Sequence, residues 1–349
     1  MIVAVEELAR SRWADWFPDD VQSGPFRLLM TGPLGDSPEK AMLLFLFKGQ
    51  TDRPHAVAKV ARVTEAERLV EHEHRFLTRV RSALPEDWKA SVPRPLGLER
   101  IEGRLVFVQS CLPGRHLEED VPASASLKER SGMDAMLNQI AEWWITFRRA
   151  TANPAEGDRT KGGSKIPDVI EAFIKAFEPG PEECRFLDHY STGAASLLGA
   201  GAALGGQHGD FCNLNVIVNQ GRIGVIDWAF GREARPPWTD LYTFATTFYW
   251  IPDRGSRPSV EDALDRSYLD DNWLSRSLGR WLSRCAAAEA VSGEAMALSV
   301  PLVFIENALI GPRQYGRVRE SDRSWRRRFG RLVSQWDRFR ALHEKMVRP

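Results

Sequence analysis

An α+β fold in two domains is the arrangement this sequence predicts, and three observations lead to it. Up to about residue 111 the chain holds short apolar runs separated by turn-forming residues. Beyond that point it holds long stretches of helical periodicity. The change falls at Leu112-Pro113-Gly114, which breaks both patterns. A chain of 349 residues buries enough surface for two cores. The expected domains are 1–111, an antiparallel sheet with one inserted helix, and 112–349, mostly helical.

Each element has its own signal. A helix opens the chain. Arg27–Thr31 is a short apolar run closed by the turn formers of Gly32–Pro38. Ala41–Phe47 predicts a buried strand, Lys48–Pro54 the turn after it and Ala56–Val60 the next strand. From Thr64 to Ser82 the spacing predicts a helix with Leu69, Phe76, Leu77 and Val80 on one side. Pro93–Leu98 and Leu105–Val108 flank a Glu102-Gly103 turn and predict a hairpin. In the second domain Met133, Met136, Leu137, Ile140, Trp144 and Phe147 recur at helical spacing. Pro154–Ser164 predicts a polar loop and Pro167–Phe177 another helix. Arg235-Pro236-Pro237 ends the next irregular region, and a helical tail begins at Asp240. There is no internal repeat.

Composition narrows the functional classes. The chain is 43% hydrophobic and 27% charged, and its formal net charge is zero, so no global field draws it to nucleic acid or a membrane. The N-terminus lacks the basic and apolar regions of a signal peptide, and no run approaches the ~18 apolar residues of a bilayer span. Cys111, Cys184, Cys212 and Cys285 are scattered without CxxC spacing, which predicts neither a disulfide framework nor a zinc site. A cytoplasmic protein is the expectation, monomer or dimer being left open.

The chemistry concentrates in His208-Gly209-Asp210-Phe211-Cys212-Asn213-Leu214-Asn215 and in Ile226-Asp227-Trp228, one hairpin later. Magnesium-dependent phosphoryl transfer requires a carboxylate near the acceptor hydroxyl, oxygen ligands for the metal and a cation on the phosphates. Asp210 is the candidate base or orienting carboxylate, with His208 beside it as a loop-fixing or proton-handling group. Asn215 and Asp227 are the candidate metal ligands. Asp227 follows Ile223, Val225 and Ile226, and the end of a buried strand is a costly place for a carboxylate without a partner. Lys59, in Val57-Ala58-Lys59-Val60, is the candidate phosphate cation. Glu73, on the next helix, is preferred over Glu71 as its partner because Leu77 one turn on anchors that face. Gly32 and Gly35 are candidates for a nucleotide-covering loop. Gln109 and Cys111 are placed at the connection between domains, where backbone groups would meet a base.

These residues resemble those of the aminoglycoside phosphotransferase and choline kinase superfamily, whose fold is that of the protein kinases. His208-Gly209-Asp210 with Asn215 is similar to its catalytic loop, and Ile226-Asp227-Trp228 to its counterpart of the kinase Asp-Phe-Gly. Lys59, the helix carrying Glu73, Leu112-Pro113-Gly114 and Pro237-Trp238-Thr239-Asp240-Leu241 follow the same pattern, from about residue 27 to 250. The resemblance implies a bilobal protein-kinase-like fold, ATP or alternatively GTP as donor, Mg²⁺, and a small-molecule hydroxyl as acceptor. It has two departures: no Gly or Pro before Asn215, and no histidine near Trp143-Trp144-Ile145-Thr146-Phe147-Arg148-Arg149. The other classes open to the sequence are a nucleotide-binding pseudokinase and a regulatory or anion-binding protein.

Two charged segments bear on the acceptor. Arg313–Pro349 holds twelve Lys and Arg against four Asp and Glu, a local net of +8. Were that surface to approach the acceptor, it would favour neutral or anionic acceptors. Glu261, Asp262, Asp265, Asp270 and Asp271 would instead suit a cation. Trp228, Trp238 and Trp250 offer aromatic faces to a sugar.

Overall fold

Alternation along the strands sorts the N-terminal side chains onto two faces, and that sorting sets up the site. The computed structural model describes residues 1–20, 24–31, 41–120, 127–152, 166–199, 204–248 and 259–346. They fall into two units: residues 1–115 with 217–231, and residues 116–216 with 232–349. The sequence expects a single division at 111/112; the contacts instead interleave the chain, because the hairpin that ends in Asp227 packs with the first unit.

The first unit contains α1 (Ile2–Trp16), β1 (Phe26–Thr31), β2 (Met42–Lys48), β3 (Ala56–Val60), α2 (Thr64–Ala83), β4 (Pro95–Ile101) and β5 (Arg104–Ser110). The strands form one antiparallel sheet in the order β1-β2-β3-β5-β4. Ile101 pairs with Arg104, so Glu102 and Gly103 alone make the turn, both at positive φ (47° and 78°), the backbone that matches strand twist. Ala56, Ala58 and Val60 of β3, with Leu44, Leu46, Val106 and Val108, pack against Val5, Ala9, Trp13 and Trp16 of α1. The alternate residues Val57 and Lys59 must therefore face the other way. The apolar run of β2 does not read out as a fully buried strand: Leu44 and Leu46 are inaccessible, while its alternate residues are half-buried. β1, at the sheet edge, leaves Leu29 and Met30 exposed.

On α2 the buried stripe is Ala66, Val70, Glu73, Phe76, Leu77 and Val80. Spacings of three and four make this one face of a helix, and Glu73 is its only carboxylate. Glu65 and Glu67 lie in the first turn and Arg81 in the last, each complementing the helix dipole.

The chain next forms β6 (Arg115–His116), α3 (Leu117–Asp120), α4 (Leu127–Thr151), α5 (Ile166–Phe177), α6 (Pro181–Gly199) and β7 (Gly205–Gln207). The hairpin of β8 (Val216–Asn219) and β9 (Arg222–Val225) follows, then β10 (Arg232–Arg235) and α7 (Trp238–Phe248). A short α8 (Val260–Leu264), α9 (Trp273–Ala288), α10 (Gly293–Ala308), α11 (Ile310–Tyr315), α12 (Glu320–Ser334) and α13 (Trp336–Met346) complete the chain. The sheet of the second unit is small: β7 pairs antiparallel with β10. Its helical core is organised on α10, which meets α5, α6, α7, α12 and α13. The stretch Gly293–Tyr315 is long and apolar enough to cross a bilayer by length and composition, yet 78% of its most apolar window is buried here. The polar loop expected at Pro154–Ser164 and the face of Trp250 lie outside the described residues.

The basic tail and the acidic cluster largely satisfy each other. Arg331 pairs with Asp265 at 2.6 Å, Arg338 with Asp270 at 3.6 Å, and Arg319 with Asp322 at 2.9 Å. Arg340 reaches Glu294 at 3.0 Å, and Arg326 pairs with Glu183. Asp262 caps α8, and Asp271 pairs with Arg276. About half of the local excess of +8 is thus matched by carboxylates elsewhere in the unit.

Candidate active site

In the first unit, strand alternation and helix periodicity bring a lysine and a glutamate face to face. Lys59 Nζ donates to both carboxylate oxygens of Glu73, at 2.6 and 2.7 Å. The same ammonium donates to Asp227 Oδ1 at 2.8 Å. Glu73 Oε1 also accepts the backbone N–H of Trp228 at 3.2 Å, tying α2 to the segment that follows β9. Glu73 is buried and Glu71 exposed, so the geometry selects the glutamate that the helix pattern favours. Burial works against the Lys59 ammonium, but Asp227 and Glu73 outweigh it and hold its pKa above the usual lysine value. Burial also raises Glu73, with Lys59 opposing and Asp227 reinforcing that shift.

Asp227 emerges from β9 with φ of +64°, in the left-handed region that a non-glycine residue occupies at a cost. Its side chain is 45% exposed while Lys59 and Glu73 are not, so it is the member of the set presented outward. Trp228 holds it there: the indole is fully buried, 5.9 Å from the ring of Phe76 on α2.

In the second unit, the loop after β7 carries the other candidate residues. Asp240, near the start of α7, accepts the backbone N–H of His208 at 2.8 Å and of Gly209 at 2.9 Å. Gly209 has φ of +81°, a conformation in which any side chain would be strained. His208 is fully buried, and its Nδ1 accepts the N–H of Asp210 at 3.3 Å, a loop-fixing position. The Asn215 amide donates to the Asp210 carbonyl at 2.8 Å and to its carboxylate at 3.2 Å. Phe211 stacks between Trp143 of α4, at 5.7 Å, and Phe244 of α7, at 5.2 Å. The loop is therefore bolted from both sides, and the Asp210 side chain is aimed by its neighbours.

Two supporting residues were outside the candidate set. Asp240 is completely buried; desolvation pushes its carboxyl up to about 6, offset in part by the His208 and Gly209 N–H groups, Arg148 and Arg232. Arg148 of α4 is also buried, and binds Glu289 through two bonds of 2.9 and 3.2 Å. Its third side donates to the carbonyls of Gly206, at 3.0 Å, and Arg235, at 2.8 Å, holding β7 and β10 in register. Gly206 itself has no room for a side chain: a Cβ there would lie 2.6 Å from the Thr151 hydroxyl. The signal for Arg148 was present. It continues the apolar stripe of Leu137, Ile140, Ala141 and Trp144, and a charge on such a stripe needs a buried partner.

The remaining candidates are placed differently. Gly32 and Gly35 lie outside the described residues. Gln109 is a buried residue of β5, while Cys111 follows the strand. The N–H groups of Ser110 and Cys111 are donated to Arg94 O and His55 O, both at 2.9 Å, so the sheet already uses them. Burial pushes the Cys111 thiol up to about 12, far from a reactive thiolate. Among the described residues no three His, Cys, Asp or Glu side chains gather as a metal cluster.

Comparison with known proteins agrees with this architecture. The model of the phosphotransferase enzyme family (APH) matches residues 45–278, well over half of the chain. The fold is the kinase-like α+β fold of these enzymes, and the chain belongs to the phosphotransferase enzyme family. Its structure is similar to a thermostable mutant of aminoglycoside phosphotransferase APH(4)-Ia in ternary complex with ADP and hygromycin B. That match has 14% identity and a TM-score of 0.55, and covers 95% of this chain and 98% of the other. A mutant of aminoglycoside 2'-phosphotransferase-IIIa in complex with GDP matches at 13% identity and a TM-score of 0.52, over 95% of this chain and 96% of the other. A choline/ethanolamine kinase family protein from Mesorhizobium loti matches at 14% identity and a TM-score of 0.50, over 97% and 99%. Identities this low speak for the fold alone. No curated protein sequence matches the chain.

Proposed function

We propose that the protein transfers the γ-phosphoryl group of ATP to a hydroxyl of a small acceptor. The observation that carries this reading is Lys59, held by Glu73 at 2.6 Å and Asp227 at 2.8 Å. A cation fixed by a buried carboxylate next to an exposed one is poorly suited to fold stability alone, and well suited to phosphate. Similar structures bind ADP or GDP, which favours a nucleoside triphosphate donor. We take ATP as the donor and GTP as the alternative. Others hold aminoglycosides, which favours a small acceptor.

Asp210 orients the acceptor hydroxyl and receives its proton as the new O–P bond forms and the bond from the γ-phosphorus to the β,γ-bridging oxygen breaks. The transition state is loose, so positioning by His208, Asn215 and Asp240 counts for more than base strength. Lys59 neutralises phosphate oxygens. Asn215 and Asp227 would hold Mg²⁺: a carboxylate and a carboxamide are hard oxygen donors, and this metal completes its shell with water and phosphate. Bound there, the ion would offset the charge that grows on the leaving diphosphate.

Nucleotide consumption against a panel of hydroxyl acceptors, with wild type and Asp210→Asn side by side, tests the reading. Acceptor-dependent ADP release should fall by about 10²–10⁴-fold in the variant, the usual worth of a positioned acid–base group. Unchanged turnover in the variant would overturn the role of Asp210, and no acceptor-dependent ADP release in the wild type would favour a nucleotide-binding pseudokinase.

A further inference from the structure

Two arginines of β10 pair with the strand that leads into the Asp210 loop, and a third, Arg313, lies within electrostatic reach of both. Arg232 lies opposite Gln207 in the β7–β10 pair, one residue ahead of His208, and Arg235 lies opposite Gly205. β10 leads at once into α7, whose Thr239 hydroxyl donates to Glu306 of α10 at 3.2 Å. The helix continues past Glu306 with little interruption: Leu309 N–H reaches Ile305 O, and Arg313 N–H reaches Leu309 O, both at 3.0 Å. Arg313 is seven residues beyond Glu306, two turns on and on the same face. Through Glu306 that face meets the start of α7.

The electrostatics place the same groups together. Partial desolvation lowers Arg313, Glu306 opposes the shift, and Arg232 and Arg235 add to it. Arg232 in turn acts on Asp240, which grips the loop. Among the described residues, no hydrogen bond or ion pair engages the guanidinium of Arg232, Arg235 or Arg313. Arg319, Arg326, Arg331 and Arg340 of the same unit each reach a carboxylate. Holding Arg313 within reach of two like charges costs stability unless an anion is drawn in.

We propose that Arg232, Arg235 and Arg313 bind an anionic group, a carboxylate or a phosphate ester, on the hydroxyl acceptor. The inference rests on the phosphotransferase reading and deepens it. Planar guanidinium forks suit both anions, and they repel the polycations that similar enzymes hold.

The test sorts acceptors by charge. ADP release is measured with hydroxy acids, sugar phosphates, neutral sugars and amino alcohols, and aminoglycosides. The anionic arms should be preferred, and whichever of the two dominates identifies the anion. For that acceptor, Arg232→Gln, Arg235→Gln and Arg313→Gln should each raise KM about ten- to a hundredfold, as expected for losing a charge-assisted hydrogen bond, with kcat nearly constant. Arg323→Gln, at an exposed position of α12, is the control and should leave KM unchanged. Preference for cationic acceptors, or equal KM in the triple variant and wild type, would overturn the proposal. If no acceptor supports ADP release, titration with inorganic phosphate decides. Binding lost in the triple variant keeps the anion site while the transfer reading fails; equal binding in both proteins removes the site as well.

Discussion

The two sets of candidate residues, one in each unit, are built on different principles. In the first unit Lys59, Glu73 and Asp227 act on one another directly, side chain to side chain, within 2.8 Å. In the second unit Asp210 is positioned through backbone: Asp240 holds the N–H groups of His208 and Gly209, and Arg148 holds the carbonyls of Gly206 and Arg235. A direct set should fail by losing a charge. An indirect one should fail by losing the shape of a loop, at positions far from the reacting atoms in sequence.

Arg148→Ala is the strongest way to break the comparison. It strands Glu289 without its cation and leaves two carbonyls short of a donor. Removing one partner of a buried pair costs about 3–5 kcal/mol, so the variant should melt well below wild type in chemical denaturation. Arg148→Lys keeps the charge but cannot reach four acceptors from a planar fork, and should retain the fold with a reduced kcat. Full activity in Arg148→Lys would mean that the loop does not depend on this clamp.

Glu73→Gln tests the direct set. It keeps the shape of the side chain and removes the anion that fixes Lys59, while Asp227 remains within 2.8 Å. The ammonium should then settle on Asp227 and leave the phosphates, lowering kcat/KM about ten- to a thousandfold, as for one lost charge-assisted contact at a reacting group. Glu71→Gln, two residues away and exposed, should leave kinetics unchanged. Equal effects of the two substitutions would dissolve the set.

How much of this was legible follows from the same distinction. Lys59 and Glu73 can be read from sequence because a period of two and a period of 3.6 decide where they point, and Leu77 marks the buried face of α2. Asp210, Asn215 and Asp227 stand out by type and spacing, and the structure ties Asn215 to Asp210 and Lys59 to Asp227. Arg148, Glu289 and Asp240 act through backbone groups that no spacing rule connects to them; Glu289 lies 141 residues from its partner. The +8 of the tail was countable, but its pairing with Glu183, Asp265 and Glu294 depends on how α6, α8, α10 and α12 pack. The domain division shows the same limit: the β8–β9 hairpin lies deep in the helical part of the sequence, yet packs with the sheet unit.

Surface pairs give a smaller effect. Arg340→Gln removes exposed bonds to Glu294 and Glu344, and should change stability by less than about 1 kcal/mol, less still at high salt. A larger loss would show that the tail's ion pairs act as a network.

The finest prediction separates activity from stability with pH. Burial raises the Asp240 carboxyl to about 6 from an ordinary 3.8. Between those values the folded state holds a proton that the unfolded chain has released, so this group makes the fold less stable as pH rises through the window. Activity should move the opposite way. Ionised, Asp240 accepts both N–H groups of the loop; protonated, one oxygen becomes a donor facing a donor, and the loop loses a bond. Acidification through about pH 6 should therefore lower kcat while this carboxyl's contribution to stability improves. Asp240→Asn should flatten that acid limb and reduce kcat at neutral pH, because the carboxamide keeps a single acceptor. An unchanged limb in the variant would assign the titration to another group and leave Asp240 a purely structural anchor of the loop.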